Sequence, residues 1–381
     1  MPANSSDGPR RASPLGPGSD LESSGSDQSR FNGRLHDASA PTDVASPGEC
    51  PTTSATGDAG PNEPLNQAHM ELLVHFVFDK DIFRLGDSRD FAIGLPIALK
   101  TGLESPYLLH QLLAFSARHQ AFLHPERAAA YLQQAVYLQT KAISLFNATG
   151  PAVDESNCVA ALLFAAALGH HLLADTLSRR DDAGGLPAFL AHYIQCVEMH
   201  RGVFVVASAA WPLLLASELE PILSRSAGLT SRSPRGTHCQ RLHGLVDGAR
   251  GLSEADTEAC REAIRYLQVG FDAMLAEREE LAMRQQMIFS WSLLAAPKLT
   301  GLLAARRPEV LVVLAYYALL LHYGRAIWLV GDAGQYIFCL VADYLGPSWE
   351  DWLAYPRERM TSEAPSLLDY DDAKEDAVNL I

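Results

Sequence analysis

Residues 308–356 limit the possible folds more than any other stretch of the chain. An apolar helix pattern carrying Val310, Leu311, Val313, Leu314, Tyr316, Tyr317 and Leu320 ends at Gly331-Asp332-Ala333-Gly334. A second helix pattern follows, and the segment closes on Trp349 and Trp352. Two apolar helices joined at a glycine corner need other helices to pack against, and nothing here offers acid–base or metal chemistry at an obvious spacing. Period-two alternation is nearly absent from the whole chain, so the reading is an all-α protein with one large helical domain. No fixed repeat period marks a solenoid.

Residues 1–64 are rich in Ser, Pro, Gly and Asp and poor in large apolar side chains. Such a segment cannot bury enough surface to offset its ordering entropy and reads as disordered. Residues 357–381 read as an acidic tail, and 65–356 as the helical domain with a mobile linker at about 225–251. The net charge of −15 is spread over the three parts. Basic against acidic residues number four to nine in 1–64, 25 to 30 in 65–360, and one to six in 361–381. An acidic surface repels phosphate backbones, so no direct nucleic-acid binding is expected. The apolar run 310–321 is too short to span a bilayer, so no membrane role is expected either.

Within the domain, helices are expected from Met70, from Pro106 at a first turn, and over about 125–146. Pro96 and Pro106 are expected to bracket a break. Asp154 is read as the N-cap of an Ala- and Leu-rich helix running to Leu173, apolar almost all round and therefore central. Asp256 and Thr257 are candidate caps of a later helix, and Met283, Met287, Phe289 and Trp291 mark another.

The sequence offers little recognisable chemistry. There is no P-loop, no G-x-S-x-G, no H-E-x-x-H and no G-x-G-x-x-G after a strand. Six cysteines (Cys50, Cys158, Cys196, Cys239, Cys260 and Cys339) stand far apart and read as free thiols in a reducing compartment. Of the thirteen histidines, His110, His119 and His124 fall near one helix pair, and His192 and His200 flank Cys196. They are read as surface tips or satisfied core groups, so no metal, cofactor or catalytic residue is expected. Asp371-Asp372-Ala373-Lys374-Glu375 matches the acidic magnesium motif of helical terpene cyclases, but no second metal motif accompanies it. It is read as a solvated charge run. The glycines of 331–334 allow positive φ and close backbone approach, either as a plain helix corner or as a hinge.

Three blocks carry a resemblance. The first opens at Met70-Glu71-Leu72-Leu73. The second runs from Pro106-Tyr107-Leu108-Leu109 through Arg118-His119 and the Ala-rich helices to Leu173. The third spans Arg307-Pro308-Glu309 through Trp328, Gly331-Asp332-Ala333-Gly334, Trp349 and Trp352. In this order the chain resembles the C-terminal regulatory domain of fungal zinc binuclear-cluster transcription factors, in the sterol-uptake-control-like branch. The resemblance implies a nuclear, often dimeric helical domain that holds an apolar, sterol-like ligand and controls sterol or secondary-metabolite genes. It further implies a ligand pocket, guessed as Met287, Trp291, Tyr316 and Trp328, with Gly331, Asp332 and Gly334 as a switch loop. The family's six-cysteine cluster and the basic stretch after it are not in this sequence, where only Cys50 precedes the helical region.

The leading expectation is therefore a transcriptional regulator acting as a homodimer or through a DNA-binding relative. Two alternatives stand beside it: a helical enzyme acting on an isoprenoid or other lipid, and a truncated gene product.

Overall fold

Prolines and polar caps set many of the helix starts in this chain. The structure, a computed structural model, describes residues 66–362 apart from 84–87, 151–152, 181–182, 277–278 and 280. The described residues form fifteen α-helices and no strand. They are α1 (Gln67–Phe78), α2 (Ser88–Glu104), α3 (Pro106–Leu123), α4 (Ala128–Ala148), α5 (Cys158–Ser178), α6 (Gly185–Ser208), α7 (Trp211–Leu215) and α8 (Glu220–Thr230). Then come α9 (Gln240–Asp247), α10 (Glu254–Met274), α11 (Leu281–Leu294), α12 (Pro297–Ala304), α13 (Pro308–Tyr323), α14 (Ala333–Leu345) and α15 (Glu350–Thr361). The all-α expectation holds. Residues 1–64 and the Asp371-Asp372 motif lie outside the described residues.

Pro106, Pro297 and Pro308 sit in the first turns of α3, α12 and α13, where a missing N–H leaves no helix bond unmade. Two caps differ from expectation. The N-cap of α10 is Ser253, whose hydroxyl accepts from Asp256 N while the Asp256 carboxylate returns a bond to Ser253 N. Asp256 is thus the reciprocal third residue of a capping box. Asp154 does not cap α5, which starts at Cys158. Its carboxylate instead accepts from the backbone and hydroxyl of Ser156, closing a turn before the helix.

Two prolines expected at boundaries lie inside helices. Pro96 is within α2 and Pro356 within α15, which carries α15 to Thr361 and moves the start of the expected tail. A proline frees only the one carbonyl four residues back. Ile97 and Ala98 beside the first, and Leu353 and Met360 around the second, are buried and hold the helix together across the gap.

The expected linker at 225–251 also differs, because it contains the end of α8 and all of α9. Asp272 on α10 accepts from Arg235 N at 2.7 Å and Gly236 N at 2.9 Å, and Gln268 Oε1 accepts from Cys239 N at 2.8 Å. Cys239, Leu242 and Val246 are buried, so these tethers and contacts fasten the segment to α10.

Two helices organise the core. α3 packs against α1, α2, α4 and α5, and α13 packs against α9, α10, α11, α12, α14 and α15. α6 bridges them, lying on α5 and also on α11, α12 and α14. There the Arg201 guanidinium donates to the Ser292 and Ala295 carbonyls at 3.0 and 3.1 Å. Every residue from Val310 to Leu321 is buried, as a helix without a polar face requires. By length and composition α5 could cross a membrane, yet 61% of its most apolar window is buried inside the protein.

The crossing of α13 and α14 depends on one glycine. A Cβ on Gly334 would stand 2.5 Å from both the Ala318 carbonyl oxygen and the His322 nitrogen. These are backbone atoms that cannot step aside. Gly334→Ala is therefore expected to destabilise the fold by ~2–4 kcal/mol, in the range of overpacked cores. Gly331→Ala, with open space around it but a φ of +49°, should cost only ~1–2 kcal/mol. Urea unfolding of the two variants checks the order, and equal midpoints would refute it.

Candidate functional site

The four expected pocket residues do not meet. Met287 and Trp291 share one face of α11, fully buried against α10 and α13. Trp291 stacks on Tyr317 with centroids 4.4 Å apart and donates from Nε1 to the Ala263 carbonyl at 2.9 Å. Tyr317 in turn donates to the Ile288 carbonyl at 2.7 Å. Tyr316 is one residue back, about 100° around α13, and stacks instead on Tyr355 at 5.6 Å. Tyr355 reaches His238 Nδ1 at 2.5 Å. A cavity of about 10 Å³ touches Trp291, room for about one water at most. Burial of Met287, Trp291 and Tyr316 is core packing around α13.

Trp328 belongs to a different place. It lies in the run of turns between α13 and α14, which leaves the core and reaches the N-terminal helices. Its ring packs on His119 (4.7 Å), Phe115 (5.5 Å) and Phe122 (5.9 Å) of α3. Its Nε1 donates to the Ile82 carbonyl at 3.3 Å. The same turn is held at its far end by Asp332, which pairs with Arg180, and the Arg180 guanidinium lies over the Tyr336 ring at 4.5 Å. Gly331 supplies the positive φ just before Asp332. Trp328, Gly331, Asp332 and Gly334 thus form one feature, a turn clamped to α3 on one side and to the end of α5 on the other.

Beneath Trp328 lies a cluster that sequence spacing does not reveal. His119 of α3 faces His75 of α1, with His75 Nε2 and His119 Nδ1 3.0 Å apart. The other nitrogen of His75, Nδ1, is 3.6 Å from Asp79 Oδ2 one helical turn on. One donor atom from each of the three side chains lies within 4.8 Å of the others. Burial pushes the His119 pKa down to about 4, with nearby Arg118 adding to the effect and Asp79 opposing it. Burial also lowers that of His75. Both imidazoles are therefore neutral at pH 7. His110 and His124, grouped with His119 by sequence, lie elsewhere: His110 accompanies His69 and His124 accompanies Tyr131.

A second polar network adjoins the first on α3. Arg118 donates from Nε to Asp175 Oδ1 at 2.6 Å and from Nη2 to Ser178 Oγ at 2.7 Å. His171 is 1% exposed; its Nδ1 lies 3.3 Å from the Gln111 amide and its Nε2 3.7 Å from Asp175 Oδ2. Together these groups tie α3 to α5 through a polar seam that runs from the buried Gln111 and His171 out to the half-exposed Asp175. The remaining chemistry is sparse. Cys158, Cys196, Cys239 and Cys260 are buried free thiols and Cys339 an exposed one. Burial raises Cys196 and Cys260 to about 11, which makes both poor nucleophiles at neutral pH. An open cleft of about 780 Å³ lies along α10, where Glu258, Arg261, Glu262 and Arg265 alternate with Pro234, Ala255, Ala259 and Ala296.

Desolvation lowers the His171 pKa to about 4, with Asp175 opposing and Arg118 assisting. The folded protein thus holds a neutral imidazole that the unfolded chain protonates below about 6.5. Its contribution to stability is full above that pH and is lost as pH falls towards 4. Over that window His171 is expected to remove ~3 kcal/mol. His171→Gln should flatten the pH dependence of the unfolding free energy between pH 6.5 and 4 by up to one proton's slope. Denaturant titrations across that range would contradict this if wild type and variant lost stability in parallel.

The chain matches no protein-family model, no curated protein and no solved structure.

Proposed function

We propose that this chain is a nuclear regulatory protein that controls transcription through a protein partner, without contacting DNA itself. The observation that carries the reading is a pair of exposed apolar rows on neighbouring helices. On α1, Met70, Val74 and Phe78 recur every fourth residue and are 45, 51 and 77% exposed. On α4, Leu132, Val136 and Tyr137 are 40, 59 and 66% exposed. The Tyr131 hydroxyl donates to Glu71 Oε1 at 2.9 Å and ties the two helices together beside these rows. Single exposed apolar residues are ordinary, but rows at helical spacing are the form a helical partner covers.

The acidic balance of the chain also favours a protein partner over a phosphate backbone. The resemblance to zinc-cluster regulators supplies the transcriptional side of the proposal. The partner it suggests is a second copy of this chain or a DNA-binding relative. A sterol-like ligand would need space elsewhere than among Met287, Trp291, Tyr316 and Trp328, which are packed apart from one another.

The test is a nuclear reporter to which the full chain is tethered by a foreign DNA-binding domain. Wild type should change reporter output several-fold in either direction. Val74→Glu with Val136→Glu should abolish the change while leaving the helical circular dichroism intact. A wild-type fusion with no effect on the reporter, or a folded double variant with full effect, would sink the proposal.

A further inference from the structure

We propose that His75, Asp79 and His119 form a binding site for a divalent transition-metal ion, best suited to zinc. The inference is independent of the regulatory reading above. Its ground is geometric. His75 Nε2 and His119 Nδ1 face each other across the α1–α3 contact at 3.0 Å, although 44 residues separate them in the chain. An ion with Zn–N bonds of ~2.0–2.1 Å fits between two nitrogens at that separation with a bond angle somewhat above 90°. Asp79 comes from the next turn of the same helix as His75, with its carboxylate 3.6 Å from His75 Nδ1, and one donor atom from each of the three side chains lies within 4.8 Å of the others. Two ligands spaced i, i+4 on one helix with a third from a neighbouring element is a common way for helices to hold zinc.

The surroundings suit the ion. His119 is buried and His75 and Asp79 are partly exposed, so the site has a rigid wall and a path from solvent. The Trp328 ring covers His119 at 4.7 Å and Phe122 stacks on the same imidazole at 6.3 Å, which lowers the local dielectric and strengthens binding to a charged ion. Arg118, whose charge bears on His119, is paired with Asp175 at 2.6 Å. Two imidazoles and one carboxylate select zinc and its transition-metal neighbours over calcium or magnesium, which prefer all-oxygen cages. Three protein ligands leave a fourth tetrahedral position for water or an incoming group. Because one ligand lies on α3 and two on α1, the ion would staple α1 to the domain directly beneath the Trp328 turn.

The test uses the full chain, stripped with a chelator and titrated with Zn2+ alone by calorimetry and by thermal unfolding. One equivalent is expected to bind at micromolar concentration or below, and the unfolding temperature should rise as zinc is added. Asp79→Asn and His75→Gln, both at partly exposed positions, should each weaken that binding at least about tenfold. His243→Gln, at an exposed histidine far from the cluster, should leave binding unchanged. His119→Gln should also lose the site, and if it fails to fold the other two variants still decide. The proposal is overturned if the wild type shows no zinc binding below about 100-fold the expected concentration. It is equally overturned if Asp79→Asn and His75→Gln bind as tightly as wild type, since the metal would then sit on other histidines.

Discussion

Burial of α13 on every side is the constraint on which the rest of the molecule depends. A helix carrying Val310, Leu311, Val312, Val313, Leu314, Leu319, Leu320 and Leu321, each at most 1% exposed, tolerates no water on any face. Each such side chain stabilises the fold by ~1.5–3 kcal/mol when moved from water to the interior. Six helices are needed to enclose it, and their placement follows. α14 crosses closely because Gly334 lets backbone meet backbone. α11 is held by the Trp291–Tyr317 stack, and α15 by the stack of Tyr355 on Tyr316.

The N-terminal half is assembled differently. There α3 buries not only leucines but Gln111, Ser116, Arg118 and His119, so its packing is set by hydrogen bonds as much as by area. Buried polar groups are costly unless paired, and each pairing selects one neighbour: Asp175 for Arg118, His75 for His119, the Leu72 carbonyl for Ser116. The Trp328 turn brings the two kinds of core into contact. An apolar ring from the α13–α14 corner rests on the polar edge of α3 and shields the His75–His119 pair.

Particular residues explain why some of this was legible in sequence and some was not. Pro106 announced a helix start because a proline has few other favourable places in a helix. Asp256 marks a helix start in the sequence, but as the third residue of a capping box and not as the cap itself. An Asp can serve as the cap or as the third residue of a capping box, and only the presence of Ser253 in an extended conformation decides between them. Pro96 and Pro356 misled because the rule that proline ends a helix assumes no tertiary contact strong enough to compensate for one lost bond. The 225–251 segment misled because its polar composition is that of a loop, while Asp272 and Gln268, some thirty residues on, supply its hydrogen-bond acceptors.

The amino-acid sequence alone determined that this chain is helical, that its closing apolar segment is core, and that glycines govern its corner. Those properties depend on local periodicity, side-chain shape and backbone freedom, which neighbouring residues carry among themselves. Tertiary structure alone decided that Tyr317, and not Tyr316, meets Trp291, that Trp328 leaves the core for α3, and that His75 finds His119. Helical periodicity states which face of a helix is apolar; it does not state which other helix that face meets, or at what depth. Side chains one position apart point about 100° apart, so the partners of each are settled only when the helices cross.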